Sequence, residues 1–290
     1  MPSLKHIRKR ISSVKNTQQI TRAMKMVAAA RLRKAQEAIL AKRPYAYRLR
    51  EMIGELAARA DFTDHPLLEQ REPKKVELII LTSDRGLCGG FNANINRTAL
   101  RYILDNEAGH EDILLSIVGR KGHDFFKRRN DVQLGTYFKD VLTNVGLEKA
   151  SDIAEHAITS FLDQSLDATF VVYNEFKSAI SQEVVVEQLL PVLPTELEAD
   201  DQANSEFIYE PSKGEVMDAV LPRHLTVQVY RMLLESVASE MGARMSAMDS
   251  ATTNAGELID RLTLEYNRAR QANITTELME IIGGAEALKG

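Results

Sequence analysis

The residues of this chain best placed to do chemistry lie in one glycine-rich segment, TSDRGLCGGFN, Thr82 to Asn92. It follows a short apolar run and precedes a helical pattern, the setting in which backbone N–H groups cradle phosphate at a helix N-terminus. Yet the segment lacks the lysine and hydroxyl residue of a P-loop, and Gly86, Gly89 and Gly90 miss the dinucleotide spacing. A tight turn that makes a protein contact is the reading that survives. Cys88 is the only cysteine, and a thiol becomes a nucleophile only beside a base or cation. No histidine lies near it in sequence, which favours a small buried or contact residue. His6, His65, His110, His123, His156 and His224 include no pair spaced three or four apart, so neither a metal site nor a cofactor is expected. Glu277 and Glu280 share a helical face, as an acid and base pair would, but nothing else of an active site flanks them.

With so little chemistry in the motifs, the elements carry more of the meaning. The chain has 290 residues, 44% of them apolar, enough for one substantial core or two small ones. No run approaches the roughly 20 apolar residues of a membrane-spanning helix, so membrane association is expected to be peripheral. The lone cysteine removes any disulfide framework.

Prolines fall at positions 2, 44, 66, 73, 191, 194, 211 and 222. A helix-interior proline costs about 3 kcal/mol, so the gaps between prolines mark where long helices can run. From Arg223 to Gly290 one helix is predicted, spanning on the order of 100 Å at 1.5 Å per residue. Along it Leu234, Val237, Met241, Met245, Met248, Ala251, Ala255, Leu258, Leu262, Tyr266 and Ala269 succeed one another at spacings of three or four. A stripe this long belongs to a helix wound on another helix, and its alanines and methionines keep the seam slender. Leu4, Ile7, Ile11 and Val14, then Ile20, Met24, Val27, Leu32, Ala35 and Ile39, supply the partner at the other end of the chain. That helix is predicted to reach Lys42, where Pro44 kinks it or starts a second segment through Leu49, Ile53 and Leu56.

Between the ends the pattern changes. Val76–Leu81, Ile113–Val118, Val132–Phe138 and Ala168–Tyr173 read as strands, with helical stretches near Asn94–Leu104, His123–Arg129 and Leu147–Leu166. Alternation of this kind predicts a mostly parallel sheet, and Glu183–Leu190 is expected to add an edge strand. The acidic stretch Glu196–Glu210 reads as an exposed connection. The fold class is therefore α/β with long helices: residues 1–60 and 210–288 as an antiparallel coiled coil, and 74–195 as an inserted, Rossmann-like α/β domain.

Charge is divided unevenly. Residues 1–50 hold 14 Lys and Arg against the single acid Glu37, a net of +13 that leaves −17 for the rest. An organelle transit peptide would break off sooner and not flow into ordinary amphipathic sequence. A nucleic-acid arm would interleave aromatic residues, and none occurs before Tyr45. A membrane-surface helix would place Trp or Phe on its apolar face. An acidic protein surface is the specific partner that fits, a solvated helix face the plainer alternative.

Three segments resemble the gamma subunits of F-type ATP synthases. ITTELMEIIGGAEAL, Ile274 to Leu288, is similar to the C-terminal signature, with Thr275, Glu277, Glu280, Gly284 and Ala285 at the matching positions. KNTQQITRAMKMVAAARLRKAQ, Lys15 to Gln36, resembles the N-terminal signature, and DRGLCGGFN the central one. The resemblance implies a non-catalytic rotor shaft: terminal helices standing inside a ring of α and β subunits, and a foot on the membrane c-ring with the epsilon subunit. It implies subunit contacts at Met24, Lys25, Arg244, Gln271, Thr275 and Glu277 toward β, at Cys88 toward an acidic β loop, and at Tyr209 in the foot. It further implies a peripheral place on the cytoplasmic face of the bacterial inner membrane, no nucleic-acid partner, and, with one cysteine, no thiol regulation. A regulatory or nucleotide-binding α/β module with helical dimerisation arms is the alternative, and a dehydrogenase a more distant one.

Overall fold

The computed structural model describes residues 3–58, 65–106, 109–193 and 213–287, with side chains for all of these except 42–58, 213, 286 and 287. Two helices dominate it: α1, Leu4–Ala58, and α5, Lys213–Ala287. Between them lie β1 (Lys75–Leu81), α2 (Phe91–Asn106), β2 (Asp112–Val118), α3 (Arg120–Phe126), β3 (Gln133–Phe138), α4 (Leu147–Leu162), β4 (Ala168–Phe176) and β5 (Gln182–Leu190). The chain divides into two compact units, residues 1–28 with 245–290, and residues 29–244.

In the first unit the two chain ends run antiparallel. Going up α1, Gln18 and Thr21 meet Thr252 (Gln18 Nε2 to Thr252 O 3.4 Å; hydroxyl to hydroxyl 2.8 Å), and then Lys25 meets Asp249 at 2.6 Å, earlier on α5. Ile7, Thr21 and Ala28 are buried on one side, Met248, Ala255 and Leu262 on the other. Both sets are spaced in sevens or multiples of seven, the repeat that keeps one stripe facing its partner and imposes a left-handed supercoil. Ser3 starts α1 by accepting the His6 N–H on its hydroxyl.

The second unit is built on a five-stranded sheet in the order β3-β2-β1-β4-β5. The first four strands are parallel, and β5 adds antiparallel to β4 at the edge. β1 and much of β2 and β4 are buried on both faces, which is why they read as largely apolar runs, whereas β3, at the sheet edge, has no fully buried residue. Leu78, Ile80, Leu115, Ile117 and Val172 pack under α2 and α3. Ile79, Leu81, Val118, Val171 and Tyr173 pack on the opposite face under α4 and the Met217–Leu233 stretch of α5. At the Ala238–Met241 level, α5 also packs against Leu32 and Ala35 of α1.

The strands stand within three residues of their predicted ends. The helices differ more: α2 is longer by three residues at its start and two at its end, α3 lies three residues earlier than predicted, α4 ends at Leu162 and not Leu166, and proline bounds neither long helix. α1 continues through position 44, and α5 begins at Lys213 and contains Pro222. The bond that Pro222 forfeits lies beside a heavily buried face, Met217, Leu221 and Leu225, whose burial offsets the loss. The connection from Glu196 to Glu210 lies outside the described residues.

One polar chain crosses the sheet interior. The register between β2 and β3 slips at Ser116, whose hydroxyl accepts the Thr136 N–H at 3.0 Å and donates to Glu77 Oε1. Glu77, fully buried, is balanced by His156 Nε2 of α4 at 3.0 Å. That bond raises the His156 pKa above its ordinary value against the opposing effect of burial. A group held more protonated when folded stabilises fully below its unfolded pKa of about 6.5 and loses that contribution as pH rises through the folded value. His156→Gln should therefore cost most at about pH 6 and less at about pH 8.5. Thermal melts of both proteins across this range check it; a pH-independent difference would rule out the ion pair.

Candidate functional site

The glycine-rich turn leaves β1 at its carboxyl end, the edge at which open α/β sheets place their functional loops. Its root is fastened to β2 and α3. Thr82 donates its hydroxyl to Val118 O at 2.8 Å and accepts the Gly122 N–H at 2.8 Å. Gly119, at φ +90°, passes so close that a Cβ would stand 1.8 Å from Thr82 O, so the crossing needs a glycine. Asp84 accepts the Arg120 N–H at 3.0 Å and the Thr143 hydroxyl at 2.9 Å. From α2, Asn92 accepts the Ser83 N–H on Oδ1 at 2.9 Å and donates through Nδ2 to Ser83 Oγ and Cys88 Sγ, at 2.8 and 3.2 Å.

These bonds turn the Cys88 thiol inward, where it is 2% exposed. Burial pushes its pKa up, with smaller opposing contributions from Ser83 and Arg244. A protonated, enclosed thiol is a poor nucleophile. What the turn presents instead is its rim: Arg85, Leu87, Gly89 and Gly90 are exposed. Leu87 and Gly89 both stand in the left-handed region, at φ 63° and 57°.

Arg244, on α5, closes the turn from beneath. Its guanidinium pairs with Glu240 at 2.6 Å and donates to the carbonyls of Arg85 and Gly86, each at 3.2 Å. Both side chains are enclosed, and burial holds the Glu240 carboxyl above the ordinary carboxylate range, partly offset by Arg244.

The molecule's likeness to known proteins follows the same plan. A family model described as ATP synthase matches residues 3–288. The ATP synthase gamma chain of Geotalea daltonii is 52% identical over 290 residues, covering 100% of both chains. The chain belongs to the ATP synthase gamma chain family. Another gamma chain, from an Anaeromyxobacter species, is 54% identical over 292 residues, again across 100% of both. Among solved structures, a chain of the Tetrahymena thermophila mitochondrial ATP synthase central stalk and c-ring aligns with TM-score 0.61 and 28% identity, over 80% of this chain and 99% of that one. A chain of the Euglena gracilis mitochondrial ATP synthase aligns with TM-score 0.71 and 24% identity, over 98% and 94%, and shows the shared fold.

Measured against that gamma-chain plan, the residues singled out from sequence fall into separate places. Cys88 and Arg244 come together at one turn, the thiol bonded to Asn92 and the guanidinium to the Arg85 carbonyl. Met24 is half-buried in the first unit, and Lys25 beside it holds Asp249. Gln271, Thr275 and Glu277 lie on the last turns of α5 with their side chains exposed, and the Thr275 hydroxyl returns to Gln271 O at 2.9 Å. Tyr209 lies outside the described residues. Sequence reasoning missed Glu240, Ser83 and Asn92, and it missed Leu87 as the exposed apolar tip. Ser83 and Asn92 flank the glycines, but the bond between them appears only once the turn has closed. The thiol's enclosure has a direct consequence: in the native chain Cys88 should react with iodoacetamide about 100-fold more slowly than a model thiol and reach the model rate in denaturant. Native labelling at the model rate would show the thiol on the rim.

Proposed function

We propose that this chain is the central-stalk shaft of a membrane-associated ATP synthase, carrying rotation of a membrane ring into the catalytic α and β subunits while performing no covalent chemistry itself. The antiparallel pairing in the first unit carries the reading, because it makes a slender axle from two segments more than 200 residues apart. The gamma-chain relatives are full-length matches, and no described helix is long and apolar enough to cross a membrane. The bacterial relatives favour the cytoplasmic face of an inner membrane as its place.

Residues 1–60 and 210–288 form the shaft in this reading and 74–195 the inserted domain. Met24, Lys25, Gln271, Thr275 and Glu277 face β, the Cys88 turn with Arg244 beneath it approaches an acidic β loop, and Tyr209 belongs to the foot near epsilon and the c-ring. The distal part of α5 supports this, since Ile274, Leu278, Met279, Ile281 and Ile282 are all more than half exposed, an apolar surface in want of a sleeve. The basic first 50 residues suit contacts that form and break, exposed ion pairs being worth about 0–1 kcal/mol each.

The mechanism follows from symmetry. One asymmetric rod cannot present the same face to three equivalent β subunits, so it holds them in conformations of unequal nucleotide affinity, and rotation exchanges those conformations. A tenfold difference in affinity requires about 1.4 kcal/mol, the scale of a few altered contacts. Deleting residues 274–290 should lower ATP-driven proton pumping several-fold in complexes reassembled with α and β. It should leave the cooperative melt of the α/β domain in place. Undiminished pumping would remove the distal helix from the coupling path, and ATP hydrolysis by the purified chain alone would overturn the non-catalytic reading.

A further inference from the structure

We infer that Arg244 is a positioning residue: its guanidinium ties the Arg85–Gly86 backbone to helix α5, so that the exposed Leu87 tip moves with the shaft and not as a free loop. The functional half of this rests on the stalk reading above. The geometric half does not.

Burying an ion pair is a weak way to gain stability, because desolvation consumes much of the attraction and apolar side chains of similar volume do as well. A guanidinium, however, offers several fixed donors at once, which no apolar residue and no ammonium matches. Arg244 uses them in two directions. One terminal nitrogen holds Glu240, a turn earlier on its own helix, at 2.6 Å, which fixes the side chain's direction. The other holds the carbonyls of Arg85 and Gly86, the two residues that lead into Leu87. Elsewhere the turn is anchored by short elements of the α/β domain: Asn92 from α2, and through Asp84 and Ser83 the first residues of α3. From the long helix Ser236 reaches Leu81 O at the end of β1, while Arg244 reaches the turn near its tip, at Arg85 and Gly86.

Leu87 indicates what the clamp is for. In the left-handed region the Cβ of a non-glycine residue crowds the backbone, and at φ 63° Leu87 carries that strain. A single exposed leucine is ordinary. One held in this backbone conformation while 65% exposed takes no compensation from the chain's own core. Its apolar group, with the exposed Arg85 beside it, is set to meet another surface. The chemistry that fits is an apolar contact flanked by an acidic group on a neighbouring subunit.

Amide exchange in the free chain tests the clamp. Arg244→Met should accelerate exchange over residues 85–90 about tenfold or more, as expected for losing bonds to a charged donor, and leave β1 unchanged. Arg244→Lys, which keeps a cation and a donor under the carbonyls, should hold the increase to about threefold. Wild-type exchange in Arg244→Met would overturn the proposal. In the complex reassembled in membranes with α and β, Arg244→Met and Leu87→Asn should each lower the ratio of proton pumping to ATP hydrolysis. Asn tolerates the left-handed region, so that variant keeps the turn. The double variant should be no worse than the poorer single one, because both act through one contact; additive losses would place Arg244's effect elsewhere and overturn the proposal. Should Arg244→Met not fold, Arg244→Gln replaces it with the same expectations. A wild-type chain that supported no pumping would count against the stalk reading, while the exchange measurement would still decide the clamp.

Discussion

Everything in this chain depends on a seam too thin to stand alone. Isolated helices gain little from propensity, and the stripes on α1 and α5, rich in alanine, methionine and threonine, leave an unpartnered helix little apolar area to bury. Each helix must therefore find the other. In the first unit they meet through Ile7, Thr21 and Ala28 against Met248, Ala255 and Leu262, with the Thr21–Thr252 hydroxyl pair as a polar layer. Such a layer adds less stability than leucine would, but it is satisfied in one register only. Because the partners are the two ends of the chain, everything between them is an insertion, and the α/β domain is folded from what remains.

The second unit answers a different demand. Its parallel sheet is covered on both faces, by α2 and α3 on one and by α4 and part of α5 on the other. The long helix is thus a wall of the domain's core as well as half of a seam. Around Arg231 this is reinforced by polar bonds: its guanidinium reaches Glu187 of β5, the Tyr173 hydroxyl of β4 at 3.1 Å and Glu235 at 3.2 Å. Burial drives the Tyr173 hydroxyl well above its ordinary pKa, so it stays a donor to Glu187 at 2.7 Å. Further along the same helix Arg244 repeats the device toward the Cys88 turn. Guanidinium groups placed along one helix thus fasten it to the sheet and then to the turn, which suits an element asked to carry load.

The Cys88 turn holds its reactive group out of reach. An active site gathers reactive groups and shifts them toward neutrality; here the thiol is enclosed and kept protonated, and the glycines serve close backbone crossings and a left-handed turn. What is prepared is a shape, a rim of Arg85 and Leu87 held from several sides. Preorganised contacts of this sort suit binding that must be made and broken repeatedly, because little ordering entropy is lost each time.

Much of this was legible in the residues. Spacings of three and four announce two mated helices, although Thr21 and Ala28 take the seam where Ile20 and Val27 were expected and the helices run through Pro44 and Pro222; the alternation of short apolar runs with helical stretches announces a mostly parallel sheet, because periodicity is a local property that burial imposes directly. The three signature segments name the family for the same reason: they are contiguous. What tertiary structure alone decided is which polar groups meet. Glu77 and His156, 79 residues apart, become a pair only when α4 crosses the sheet, and Arg244 reaches the turn 159 residues before it only when α5 packs beneath β1's exit. No local pattern encodes such a meeting, since a charged residue bound for a buried clamp has the same sequence signature as one bound for solvent; the distinction is made when desolvation forces each buried charge to find its partner.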